Sequence, residues 1–182
     1  MSKVITAYTK EIDDSGAAVS NILWQLEPAR PRRTNSLGLP TLHPPFTSGG
    51  GYQAVCEALP FEIVGTTTLG ASTEAATDLE ILTLSVLTSD DVEFAPVLTA
   101  SLQSEQEGAI GAACAQGLQK LGERPPLVLA YAPLLANVGV ERLVRILDMA
   151  LDGAPLFCTL TSDPNLDFRG SPILFNVAAS MD

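Results

Sequence analysis

The sequence predicts an α/β domain: a layered mixed sheet with βαβ units and an inserted antiparallel hairpin. Three observations carry that reading. Residues 127–131 form a near-continuous apolar run bounded by Pro125-Pro126 and Pro133, as expected of a strand covered on both faces. An amphipathic stretch, Val140, Leu143, Val144, Leu147 and Leu151, follows and stops at Gly153, and residues 155–161 supply a second strand, so the two strands should be parallel with a right-handed crossover. Residues 78–88 and 92–99, aliphatic and β-branched, flank Ser89-Asp90-Asp91 as the arms of a hairpin, which makes the sheet mixed.

The remaining elements follow in order. Residues 3–9 are rich in Val, Ile, Thr and Tyr and end at an acidic cluster, a strand leading to a helix start. From Ser15, the positions Val19, Ile22, Leu23 and Leu26 place one apolar face on a helix that Pro28 ends. Arg30, Arg32 and Arg33 sit in a polar excursion that reads as a solvated loop. Residues 36–42 suggest a short strand interrupted by Gly38 and Pro40, and the loop from His43 to Gly51 leads to a helix over 52–59. Phe61-Glu62-Ile63-Val64 reads as a buried strand running into a turn, Gly65-Thr66-Thr67-Thr68-Leu69-Gly70. Ser104 and Glu107 have the spacing of a capping box ahead of a helix that buries Ile110, Ala113, Cys114, Gly117, Leu118 and Leu121. Residues 172–177 predict the last strand.

Composition limits the function. With 182 residues, 46% hydrophobic and 17% charged, the chain has the make-up of a folded domain and not of a disordered one. Its formal net charge of -11 repels phosphate backbones and anionic lipid, so neither nucleic acid nor a membrane is an expected partner. Cys56, Cys114 and Cys158 are odd in number and show no CxxC spacing, which suits reduced thiols in the cytoplasm. No export signal or spanning segment is expected, since the most apolar run is far short of the roughly 20 residues that cross a bilayer.

Catalytic signatures are missing. The sequence has one histidine, His43, and no clustered metal-ligand set; no metal or cofactor is expected. It contains no GxxxxGK[ST], GxGxxG or GxSxG motif. What remains is two sets of small polar residues where strands end. In Gly65, Thr66, Thr67, Thr68 and Gly70, glycines permit close approach of a ligand while hydroxyls and backbone amides offer hydrogen bonds. The second set, Thr159, Thr161, Ser162 and Asp163, follows a strand, and ligands of α/β sheets gather outside the carboxyl ends of strands. From composition alone the simpler reading of both sets is ordinary strand-to-loop turns that use Gly, Ser, Thr and Asp for local hydrogen bonds.

Several segments in sequence order resemble the FIST N-terminal domain: Ala7-Tyr8-Thr9-Lys10-Glu11-Ile12-Asp13-Asp14, residues 61–70, Leu87-Thr88-Ser89-Asp90-Asp91-Val92, residues 132–139, Pro155-Leu156-Phe157 with Thr161-Ser162-Asp163, and Ile173-Leu174-Phe175-Asn176. The resemblance implies one FIST N-like domain over residues 1–182, lacking the C-terminal FIST domain that commonly follows. It implies a cytoplasmic sensory module in signal transduction that binds a small polar ligand such as an amino acid, and no established catalytic residues. It raises Gly65, Thr66, Thr67, Thr68, Gly70, Thr161, Ser162 and Asp163 to the preferred binding surface and adds Asn137 as a third candidate. Two alternatives stand beside it: a cytosolic enzyme using Cys158 or Asp163, or an interaction half that packs on a missing C-terminal domain.

Overall fold

The computed structural model describes residues 2–27, 35–133, 139–161, 173–176 and the backbone of 178–180. It is an α/β fold with a mixed sheet. In chain order its elements are β1 (Lys3–Thr9), α1 (Ser15–Leu26), β2 (Asn35–Leu42), α2 (Pro45–Ser48), α3 (Gly51–Ala58), β3 (Glu62–Thr67), β4 (Ala71–Ser72), β5 (Thr77–Asp78), β6 (Leu82–Ser89), α4 (Gln106–Leu121), β7 (Val128–Ala132), α5 (Val140–Ala150), β8 (Leu156–Leu160), β9 (Ile173–Phe175) and β10 (Ala178–Ser180).

Six strands form the main sheet in the order β1-β6-β2-β3-β9-β10. Strand β6 runs antiparallel to both of its neighbours, β1 and β2, while β2 and β3 are parallel. Thus β1, β2 and β3 point the same way and end along one rim. Alternation assigns the faces. Ala7, Leu42, Ile63, Leu82, Leu84, Val86 and Leu174 face inward and are buried against Ile22 and Leu26 of α1, Phe46 of α2, and Tyr52, Val55 and Cys56 of α3. The apolar stripe expected on α1 is therefore its packing face, and the Asp14 carboxylate begins the helix by accepting from the Ala17 amide at 2.9 Å.

The expectation of a broken strand near Pro40 is corrected: β2 is continuous and central. A proline costs a central strand one ladder bond. Here the β2–β3 pairing joins Gly38 to Ile63 and resumes at Thr41 with Thr66, and Gly65 lies in the gap. A Cβ on Gly65 would fall 2.1 Å from the Pro40 carbonyl oxygen, so only glycine lets the strands approach there. The predicted turn at Gly65 is also corrected, because β3 continues through Thr67.

The predicted hairpin over 78–99 does not form. Its first arm is β6, which pairs with β1 and β2 instead, and residues 92–99 are not a strand. The Ser89 hydroxyl accepts from the amides of Asp91 and Val92, and the Asn35 side chain donates to the Val92 carbonyl, so side chains divert the backbone away from a ladder. The short hairpin is β4–β5, whose turn is closed by the Thr73 hydroxyl accepting from the Ala75 and Ala76 amides. The capping box is absent as well: α4 starts at Gln106, with Glu105 at the cap position and no side-chain cap bond. At the chain's end β9 and β10 form an antiparallel pair where one strand was expected. Asn176 makes the bend at φ 51°, its amide donates to the Ile63 carbonyl, and its side-chain oxygen accepts from the Ile63 amide.

A second core gathers α4, β7, α5 and β8, with Ile110, Ala132, Leu143, Ile146, Leu147 and Leu151 buried. Strands β7 and β8 are parallel, as the strand-helix-strand order predicts. Two details differ from the expectation. Val140 and Val144 are exposed on α5 while Ile146 is buried. The outer face of the β7–β8 pair is only partly covered: Val128, Ala130, Ala132, Leu156, Cys158 and Leu160 pack inward, and on the other side Tyr131 and Thr159 are half-buried, whereas Leu129 and Phe157, neighbours in the register, are 37% and 64% exposed.

Candidate functional site

Strand register builds a row of hydroxyl residues that the sequence does not display. Tyr8 of β1 lies beside Thr83 of β6, Thr83 beside Thr41 of β2, and Thr41 beside Thr66 of β3. All four alternate with inward core residues, so they share the sheet face opposite α1 and α3. They also stand next to the carboxyl ends of β1, β2 and β3, where α/β sheets place ligands. The Thr41 and Thr83 hydroxyls are 2.9 Å apart, and Thr83 Oγ1 also lies 3.3 Å from the Thr41 carbonyl. Thr66 Oγ1 donates to the Thr67 carbonyl. Its proton is spent, so Thr66 presents lone pairs to a partner, while the half-buried Tyr8 phenol makes no hydrogen bond to another described residue.

Charge collects at the same rim. Lys10, just past β1, donates to the Asp78 carboxylate at 2.6 Å. That ammonium, followed by the backbone amides of Glu80 and Leu79, holds the Asp78 carboxyl below the usual carboxylate range. Asp78 also lines a shallow open depression of about 490 Å³ together with Gly70, Ala71, Ser72, Thr77 and Leu79. His43, immediately after β2, hydrogen-bonds through its backbone to Ile81 and Phe46, yet its buried Nδ1 has no partner among the described residues.

The residues singled out in the sequence fall in different places. Gly65 lies against Pro40, and Gly70 against β5, where an added Cβ would come 3.1 Å from the Asp78 carbonyl. Their lack of a side chain is what permits these strand contacts. Thr66 joins the hydroxyl row, and Thr67 is buried with its side chain on the core-facing parity of β3. Thr68 is occupied twice, its amide donating to the Leu42 carbonyl and its hydroxyl to the Gly70 carbonyl at 2.9 Å. The expected supply of free donors from this bend is therefore corrected. Thr161, just after β8, is buried, with its amide bonded to Ala132 and its hydroxyl without a partner among the described residues. Asn137, Ser162 and Asp163 lie outside the described residues, as do Arg30, Arg32 and Arg33.

Tyr8, Thr41, Thr83, Lys10 and Asp78 were missed because they are scattered over 75 positions of sequence and meet only through register. The signal that was present is parity: Thr41, Thr66 and Thr83 each stand between two buried residues of their strand.

No family model, curated protein or solved structure matches this chain. Its chemistry has to be read from its own side chains. The three cysteines are free thiols, and burial pushes each of them up, Cys56 to about 11. Among the described residues no cluster of His, Cys, Asp or Glu could hold a metal ion, and no helix is long and apolar enough to cross a membrane.

Proposed function

We propose that this chain is a cytoplasmic sensory module of the FIST N-terminal type, a binding domain and not an enzyme, whose ligand is a small polar molecule such as an amino acid. The observation that carries the reading is the hydroxyl row Tyr8–Thr83–Thr41–Thr66 at the carboxyl ends of three like-directed strands, beside the Lys10–Asp78 pair. Threonine lone pairs and the Asp78 carboxylate suit an ammonium or amide donor; Lys10 and the Tyr8 phenol suit an acceptor. The non-enzymatic reading is supported by the direction in which burial shifts the Cys114 and Cys158 thiols, upward and away from the reactive thiolate. The resembling segments Ala7–Asp14 and 61–70 contain Tyr8, Lys10 and Thr66, which supports the reading at those three positions; Thr41, Asp78 and Thr83 lie outside the resembling segments.

A melting screen with amino acids and related metabolites tests it. A ligand at 100 times its Kd stabilises the fold by about 2.7 kcal/mol, which at this size raises Tm by roughly 5 to 11 °C. That rise should vanish in Thr41→Val/Thr83→Val. The same rise in wild type and the double variant would remove the hydroxyl row from the account.

A second reading, an interaction half that docks onto a following FIST domain or a signalling partner, is favoured by one feature: Leu129 and Phe157 on the partly covered outer face of β7–β8. Parallel strands are ordinarily covered on both faces.

A further inference from the structure

The outer edge of β1 carries an unusual device. The side-chain amide of Gln25 on α1 lies against Tyr8 as a strand would: its Oε1 accepts from the Tyr8 amide at 3.1 Å, and its Nε2 donates to the Tyr8 carbonyl at 2.7 Å. In an antiparallel pair the amide and carbonyl of one residue point to the same side. Tyr8 therefore turns both groups away from β6, and Lys3, Ile5, Ala7 and Thr9 are the residues that bond to it. By the same alternation, Val4 and Thr6 also point their amides and carbonyls outward, and no described residue pairs with them. Gln25 fills one end of the edge and leaves the rest open. The open stretch contains neither proline nor glycine, and Val4 is 59% exposed. It has none of the usual guards of an edge strand except Lys3.

We infer that this open edge pairs with the β1 edge of a second copy of the chain, antiparallel, about an axis passing Ile5. The arrangement follows from which groups are free. In that register Val4 exchanges both hydrogen bonds with Thr6 of the other copy, and Thr6 with Val4, which uses the outward groups of both residues on each edge. The next outward residue, Tyr8, would meet Ser2, and there the Gln25 amide already occupies the slot. The free length thus ends where the self-paired length ends. Cross-strand Val and Thr make a favourable β-branched pair. Lys3 falls opposite Ala7 and about 14 Å from the other Lys3, beyond the ~8 Å screening length at physiological salt. No carboxylate lies between Ser2 and Lys10 to repel the second copy, in a chain whose net charge is otherwise -11. Five residues a side cover less than the ~800 Å² per partner of a stable complex, so the dimer forms at high micromolar concentrations and above.

Sedimentation of the full chain across a concentration series tests this. Wild type should pass from monomer to dimer. Thr6→Pro, which removes one outward amide that the folded monomer does not use, should weaken the dimer tenfold or more. Gln25→Ala, which lengthens the open edge to Tyr8, should strengthen association. A wild-type chain that stays monomeric to millimolar concentration overturns the inference, as does a dimer that Thr6→Pro leaves intact. If Thr6→Pro does not fold, amide exchange of the wild type decides: the Val4 and Thr6 amides should gain tenfold or more protection with concentration, and no gain overturns it.

Discussion

The two cores of this chain obey the same packing rule to different extents. The six-stranded sheet places Ala7, Ile63, Leu84 and Val86 against three helices, and on its other face even the polar residues Thr66 and Thr83 are buried. The β7–β8 pair has the same parallel strands and an equally apolar inner side, yet its outer side leaves Leu129 and Phe157 in solvent. In the first unit the strand β6 is buried or half-buried on both faces. The second unit is complete on one side, and what it lacks is a layer and not a better core.

Substitutions can break this contrast at its strongest point. Gly65→Ala should be the most damaging single change, because the new methyl has nowhere to go against the Pro40 backbone; a loss of about 4 kcal/mol or more in denaturant unfolding is expected. A loss below about 1 kcal/mol would mean that β2 and β3 are not held at this spacing. Next, Leu84→Ala should cost roughly 2 to 5 kcal/mol, whereas Phe157→Ser, which removes a larger side chain from the open face, should cost under about 0.5 kcal/mol. Equal costs would show that the second face is covered after all.

The smallest contrast lies in the helix starts. Asp14→Ala removes the acceptor of the Ala17 amide and should cost about 1 kcal/mol, while Glu105→Ala on α4 should cost close to nothing, since no side-chain cap bond is made there. Paired chemical melts of the two variants would read the difference.

Much of the fold was legible because it rests on local periodicity. The stripe of Ile22 and Leu26 on α1 and the strand-helix-strand order that makes β7 and β8 parallel are visible in the residues alone. The failures have a common physical origin, in which a distant residue decides a local question. Pro40 reads as a strand breaker until Gly65 is placed beside it. Residues 92–99 read as a hairpin arm until the side chains of Ser89 and Asn35 are seen bonding to the residues that begin it. The Ser104–Glu107 spacing fits a cap, but α4 begins two residues later. The site was legible only in Thr66, since its neighbours in space come from β1, β2 and β6.

Ligand-induced amide shifts offer the most direct test of the binding account, using whichever metabolite raises Tm most. The largest shifts should fall on Tyr8, Lys10, Thr41, Thr66, Asp78 and Thr83, and should disappear with Thr41→Val/Thr83→Val. Shifts centred instead on Leu129 and Phe157 would contradict a receptor at the strand ends and give the recognition role to the partly covered outer face of the second unit.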